Sequence, residues 1–183
     1  PNAPDRLHFP YRLRPLLYAW RALYFDPGQL AVDASQSAEW NRGAYLVRGL
    51  GHCNACHTSR NALGAAGGAA LDGGQVAGRN WYAPSLTAAT GAGSGHRSIE
   101  ATVQLLSTGI AADAAATGPM AEVIAKSLQH LTPGDLRAIA VYLKSTVPVR
   151  DPADSRPAFV WGQPGDDLAA IRGVGLPKNL DHM

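Results

Sequence analysis

The sequence predicts an all-α domain over residues 37 to 147, with long loops between its helices and an extension at each end. Three observations carry that prediction. Hydroxyl side chains at Ser37, Ser98 and Thr132 each stand just before a stretch whose apolar residues recur at helical spacing, the pattern of an N-cap and its helix. Between residues 58 and 95 the chain is dominated by Gly, Ala and Ser, which supplies loop rather than the alternation of a strand. Cys53-Asn54-Ala55-Cys56-His57 has the C-x-x-C-H spacing that attaches a c-type haem, a group that helices and wrapping loops enclose.

Residues 1 to 36 read as a Pro-punctuated arm closed by the turn signal Asp26-Pro27-Gly28. Its residues 9 to 25 are rich in Leu, Tyr and Trp but contain Pro10, Pro15, Arg12, Arg14 and Arg21, too short and too charged a stretch to cross a bilayer. Docking on a partner and wrapping its own domain are both open to it. Ser37 caps the first helix of the domain, Glu39 favours its N-terminal dipole, and Trp40, Ala44, Val47 and Leu50 share a face before Gly51 ends it. In the loop that follows, Trp81-Tyr82-Ala83-Pro84-Ser85-Leu86 stands out as an ordered contact segment. Ser98 caps a short helix to about Ser107, Gly109 stops it, and a flexible run is expected as far as Gly118-Pro119-Met120. Pro119 suits the first position of a helix expected to run to His130. Thr132-Pro133-Gly134-Asp135 opens the clearest helix, with a hydroxyl cap, Pro at its first position and a carboxylate in its first turn. Leu136, Ile139, Ala140 and Leu143 form its apolar stripe, and this last helix is expected to cross the first where Gly43 permits close approach to Tyr142. From 148 to 183, Pro148, Pro152, Pro157, Pro164 and Pro177 mark an extended tail. There is no internal repeat. Pro1 opens the chain without an initiator Met or a secretory n-region, as a mature form or a part of a longer product would.

A hydrophobic content of 46% allows a real core, and a net charge of +2 with pI near 8.8 and no basic block interleaved with aromatics gives no nucleic-acid signature. A zinc site would want a second pair of ligands at similar spacing, yet Cys53 and Cys56 are the chain's 2 cysteines. A redox disulfide would follow a buried strand, whereas the residues before Cys53 read as helix. One haem c is therefore expected, held by Cys53 and Cys56 with His57 on the iron. For the sixth iron position Met120, between loop and helix, is preferred to the terminal Met183, with His96 and His130 as fallbacks. Arg60, Asn61, Trp81 and Tyr82 are candidate donors to the propionates. The Pro84 carbonyl can meet the other nitrogen of His57, and Leu86 would pack on the porphyrin. An electron carrier needs no more than this. The rival reading is a ligand sensor or peroxidase-like enzyme with an open or labile sixth site, for which the run from Thr108 to Thr117 offers Asp113 but no histidine.

Gly43-Ala44-Tyr45-Leu46-Val47 leading to Cys53-Asn54-Ala55-Cys56-His57, then Thr58-Ser59-Arg60-Asn61, Trp81 to Thr87, Gly118-Pro119-Met120 and Asp135 to Lys144 together resemble a class I cytochrome c. More narrowly, they resemble a haem domain of the cytochrome subunits of bacterial membrane-associated alcohol and gluconate dehydrogenases, over about residues 5 to 147. The resemblance implies a class I cytochrome c fold, His57 and Met120 as axial ligands, and a periplasmic carrier that partner subunits can hold at the membrane. It implies electrons arriving from a dehydrogenase and leaving for a quinone, an oxidase or another cytochrome. Two features depart from it: such subunits usually carry three C-x-x-C-H motifs where this chain has one, and Ser59 stands where proline is frequent.

Overall fold

The computed structural model describes residues 8–10, 13–76, 81–87 and 97–148. His96, Met183 and the tail beyond Pro148 lie outside the described residues. The helical core is built as its caps dictate. Helix α2 (Ala38–Tyr45) begins where the Ser37 side chain accepts from the Trp40 N–H. In α4 (Ile99–Thr108) Ser98 accepts from the Ala101 N–H, and α6 (Pro133–Ser145) starts with Thr132 accepting from the Asp135 N–H. Gly109 stops α4 in the left-handed conformation, at φ 79°, where a side chain would be strained.

Helices α2 and α6 cross at Gly43. A Cβ there would run into the Ala138 carbonyl and come within 2.8 Å of the Tyr142 Cβ, so only glycine lets the two backbones approach this closely. Around the crossing Trp40 stands edge-on to Tyr142, with ring centroids 5.1 Å apart, and its indole N–H donates to the Ser145 hydroxyl at 2.5 Å. Leu136, Ile139, Ala140 and Leu143 are all buried on α6, and Leu106 of α4 completes the core with Ala44, Leu46 and Val47.

The structure departs from the sequence expectation in five places. Leu50, expected on the buried face, is exposed and Leu46 is buried instead, because the helix widens into a π-helical turn over Leu46–Leu50 that shifts the register of everything after it. The helix expected from Pro119 to His130 is α5 (Gly118–Lys126) followed, after a break at Ser127, by a 3-10 turn over Leu128–His130. The domain is not purely helical. Strand β1 (Gly74–Gln75) pairs antiparallel with β2 (Tyr82–Ala83), and the run expected to be flexible folds into a hairpin of β3 (Ile110–Ala111) and β4 (Ala114–Ala115). Finally, the arm contains a helix, α1 (Pro15–Tyr24), in which no residue is buried. Trp20 ties α1 to the domain by donating to the Leu63 carbonyl at 2.9 Å, while Asp33 and Asn41 exchange hydrogen bonds that fasten the end of the arm to α2. Among the described residues no helix is long and apolar enough to cross a membrane.

Candidate haem-binding site

The π turn that displaces Leu50 also sets the approach to the cysteines. Its last turn closes with Gly51 N–H to the Leu46 carbonyl at 2.7 Å and Cys53 N–H to the Val47 carbonyl at 3.3 Å, and His52 takes a left-handed conformation at φ 49°. A short helix, α3 (Asn54–His57), follows, so both cysteines and the histidine occupy a single turn. His57 is buried, and its Nδ1 lies 2.7 Å from the Pro84 carbonyl oxygen. A carbonyl only accepts, so Nδ1 carries the proton and Nε2 is left with its lone pair. Burial lowers the His57 pKa, with the Pro84 bond partly opposing it, and the balance favours the neutral, ligating form. Burial also pushes the Cys53 thiol up.

What holds Pro84 against His57 is the loop between them. Buried Thr58 receives the Leu71 N–H at 3.0 Å on its hydroxyl. The Leu71 carbonyl then accepts from the Leu86 N–H at 3.0 Å and from the Ser85 hydroxyl at 3.1 Å. Gly73 N–H donates to the His57 carbonyl at 2.9 Å. Leu71 does this in a left-handed conformation, φ 66°, while almost fully buried. Beneath it the buried Asp72 carboxylate accepts from the Ser59 N–H at 3.0 Å and the Ser59 hydroxyl at 3.1 Å. Sequence reasoning missed Leu71 and Asp72, because an Asp in a Gly-rich run reads as an ordinary turn residue.

Met120 opens the first turns of α5, half-buried, and packs against the same buried cluster as Cys53 and Leu86. A Cβ on Gly118 would lie 2.7 Å from the Trp81 ring, so the indole covers the glycine two residues before Met120. Gly118 has φ 53°, a second reason for glycine there. The structure gives the other expected residues more structural company. The Arg60 guanidinium donates to the Ala55 and Gly64 carbonyls, both at 2.7 Å, stapling α3 to the following loop. Asn61 receives the Leu63 and Ala65 N–H groups on its side-chain oxygen. Tyr82 is exposed with its hydroxyl beside Gly73, and His130 is exposed on the 3-10 turn. Asp113 is bound by Arg97 at 2.9 Å.

The donor set fits a covalently attached haem: two thiols on one turn, an imidazole with its free lone pair fixed by a carbonyl on the other nitrogen, and a thioether beside the same cluster. Cys53, Cys56, His57 and Met120 are the residues that would hold it.

No protein-family model matches the chain. Among curated proteins, it is 44% identical over 144 residues to a subunit of the nicotinate dehydrogenase of Pseudomonas putida, covering 77% of this chain and 12% of that protein. It is 41% identical over 180 residues to the fructose dehydrogenase cytochrome subunit of Gluconobacter japonicus, covering 98% of this chain and 34% of that one. The alcohol dehydrogenase (quinone) cytochrome c subunit of Gluconobacter oxydans is 43% identical over 151 residues, with 79% of this chain and 31% of the relative matched. The chain thus spans about a third or less of the length of these relatives.

Proposed function

We infer that this chain, a homologue of the cytochrome c subunits of bacterial alcohol, fructose and gluconate dehydrogenases, is an electron-transfer module that carries a single haem c. Cys53 and Cys56 attach the group by thioether bonds, His57 ligates the iron through Nε2, and Met120 supplies the sixth ligand. When bound, the haem provides a one-electron iron couple. The chain's residues set its properties. The Pro84 carbonyl fixes the His57 ring and raises the basicity of Nε2. The Met120 thioether favours reduced iron and so raises the potential relative to a second histidine. Trp81 and Tyr82, both exposed, stand at the rim, with the Trp81 indole N–H available to a propionate.

The reading rests on one observation, the 2.7 Å bond that orients His57 inside a C-x-x-C-H turn. A dehydrogenase is the electron donor, a quinone, oxidase or second cytochrome the acceptor, and the periplasm the compartment. The sensor or peroxidase alternative loses support because Asp113, its acid/base candidate, is engaged by Arg97.

The test is the optical spectrum of oxidised protein, where methionine ligation gives a weak charge-transfer band in the red. The band is expected in the parent and absent from Met120→Ala, which should also bind carbon monoxide when reduced. A parent without the band, or with rapid stoichiometric carbon monoxide binding, would overturn the Met120 assignment and revive the open-site reading.

A further inference from the structure

Asp72 is buried, 8% exposed, and among the described residues no Lys, Arg or His forms an ion pair with it. A carboxylate is seldom buried without an opposite charge, because the interior solvates it poorly. Two hydrogen bonds hold it, from the Ser59 N–H at 3.0 Å and the Ser59 hydroxyl at 3.1 Å, one to each oxygen. Both oxygens thus act as acceptors, the role of an ionised carboxylate. A proline at position 59 would offer neither donor. A Cβ on Gly68 would collide with the Asp72 carboxylate and the Ser59 hydroxyl, so the glycine backbone closes over the pair.

The carboxylate stands beside the turn that carries His57. Ser59 is the second residue after His57, and Gly73, next to Asp72, donates its N–H to the His57 carbonyl at 2.9 Å. Thr58, between His57 and Ser59, is tied by its hydroxyl to the N–H of Leu71 on the other side of Asp72. The acid is therefore pinned to the His57 turn from both flanks. With neutral His57 and Met120 as ligands, iron in a porphyrin carries one net positive charge when oxidised and none when reduced. An opposite charge fixed nearby attracts only the oxidised form.

We propose that Asp72 supplies the buried counter-charge to the oxidised iron and so lowers its reduction potential, opposing part of the rise that the Met120 thioether gives. This rests on the electron-transfer reading of the site and adds a residue to it. Asp72 takes neither electron nor proton: one electron enters or leaves the iron couple, and the carboxylate weights that couple towards its oxidised form by attraction. Ser59 orients the charge, and its neutral N–H and hydroxyl keep the acid in place without cancelling it as a cation would.

The test is a redox titration of the full holo-chain, followed by its visible spectrum, for the parent, Asp72→Asn, Asp72→Ser and Ser59→Ala. Asparagine keeps an acceptor for the Ser59 N–H, and the Ser59 hydroxyl can turn to accept from its amide, so the shape survives while the charge goes. At the ambient potential that leaves the parent half reduced, both Asp72 variants should move at least about threefold towards the reduced form, a modest effect for one charge inside a protein. Mere loosening of the loop would act the other way, since water reaching the haem favours the more charged, oxidised state. Ser59→Ala loses one of the same bonds but keeps the charge, and should not move towards the reduced form. Asp72 variants that stay put, move towards the oxidised form or lose their haem overturn the proposal, as does an equal move by Ser59→Ala. The red charge-transfer band of the parent reports ligation separately: its absence counts against Met120, whereas its presence with unmoved variants counts against Asp72 alone.

Discussion

Two residues whose importance lies in what surrounds them give the sharpest tests at the smallest scale. Gly43→Ala would drive a methyl into the Ala138 carbonyl and against Tyr142, backbone and helix-fixed atoms that cannot swing aside. Separating α2 from α6 to make room should cost about 2–3 kcal/mol, the upper range for overpacking. Gly49→Ala is the internal control, since a Cβ there meets nothing nearer than the Tyr45 ring at 3.9 Å, and helix propensity should make it neutral or slightly stabilising. Denaturant titration of the pair separates contact from composition; equal destabilisation by both would remove the crossing argument. Asp72→Ala should cost about 2–3 kcal/mol, because it leaves the Ser59 N–H without its acceptor, while Asp72→Asn keeps one oxygen and should cost less. If alanine and asparagine melt alike, the carboxylate is not what holds that loop. Gly43 was legible in the sequence because a helical glycine is costly enough to demand a reason. Asp72 was not, since its role depends on Ser59 thirteen residues away meeting it across a loop whose path no local pattern encodes.

Among elements, those with a chemical start and stop signal were legible and those defined by pairing were not. Ser37, Ser98 and Thr132 cap their helices as expected, and Gly109 ends α4. Strands of two residues have no alternation to read, so β1 to β4 could not be found from the sequence. The π turn escaped for a different reason: an extra residue in one turn leaves composition unchanged and shows only as a displaced face. Helix α1 was hidden by its prolines, though Pro15 sits at its first position, where proline is tolerated. One electrostatic clamp between elements can be tested by pH. Arg42 of α2 donates to both Asp135 oxygens on α6, at 2.8 and 3.1 Å, and this bond lowers the Asp135 pKa below its ordinary 3.8. A carboxylate with a depressed folded pKa stabilises fully above its unfolded value and loses that contribution as pH falls through the folded one. Arg42 is half-exposed and Asp135 partly covered at the surface, so a double-mutant cycle of Arg42→Gln and Asp135→Asn should give a small favourable coupling at pH 7, shrinking once the pH passes below 3.8. A coupling that persists unchanged into acid would mean that the helices, not the ion pair, couple these positions.

Among the described residues, the helices supply most of the buried apolar surface and the long loop little of it. Among the described residues of the buried cluster, Ala44, Leu46, Val47, Leu106, Leu136, Ile139, Tyr142 and Leu143 come from α2 and its π turn, α4 and α6, and Leu71 comes from the long loop. The loop from Thr58 to Thr87 is instead organised by hydrogen bonds: Leu71 N–H to Thr58, Gly73 N–H to His57 and Leu86 N–H to Leu71. Net contributions of about 1 kcal/mol per bond do not offset the cost of ordering so long a segment. The covalent group proposed at Cys53 and Cys56 would supply further burial, with Leu86 and Met120 against the same cluster. Removing it should therefore split the domain's stability. In Cys53→Ala with Cys56→Ala, which cannot attach haem, amide hydrogen exchange should accelerate at least about 100-fold at Leu71, Gly73 and Leu86. The central amides of α2 and α6 should stay protected, because Gly43 and Tyr142 hold that crossing without help from the loop. Uniform loss of protection would show that the group belongs to the folding core of the whole domain. Uniform retention would show that the loop's hydrogen bonds suffice, with Pro84 held against His57 before any haem arrives.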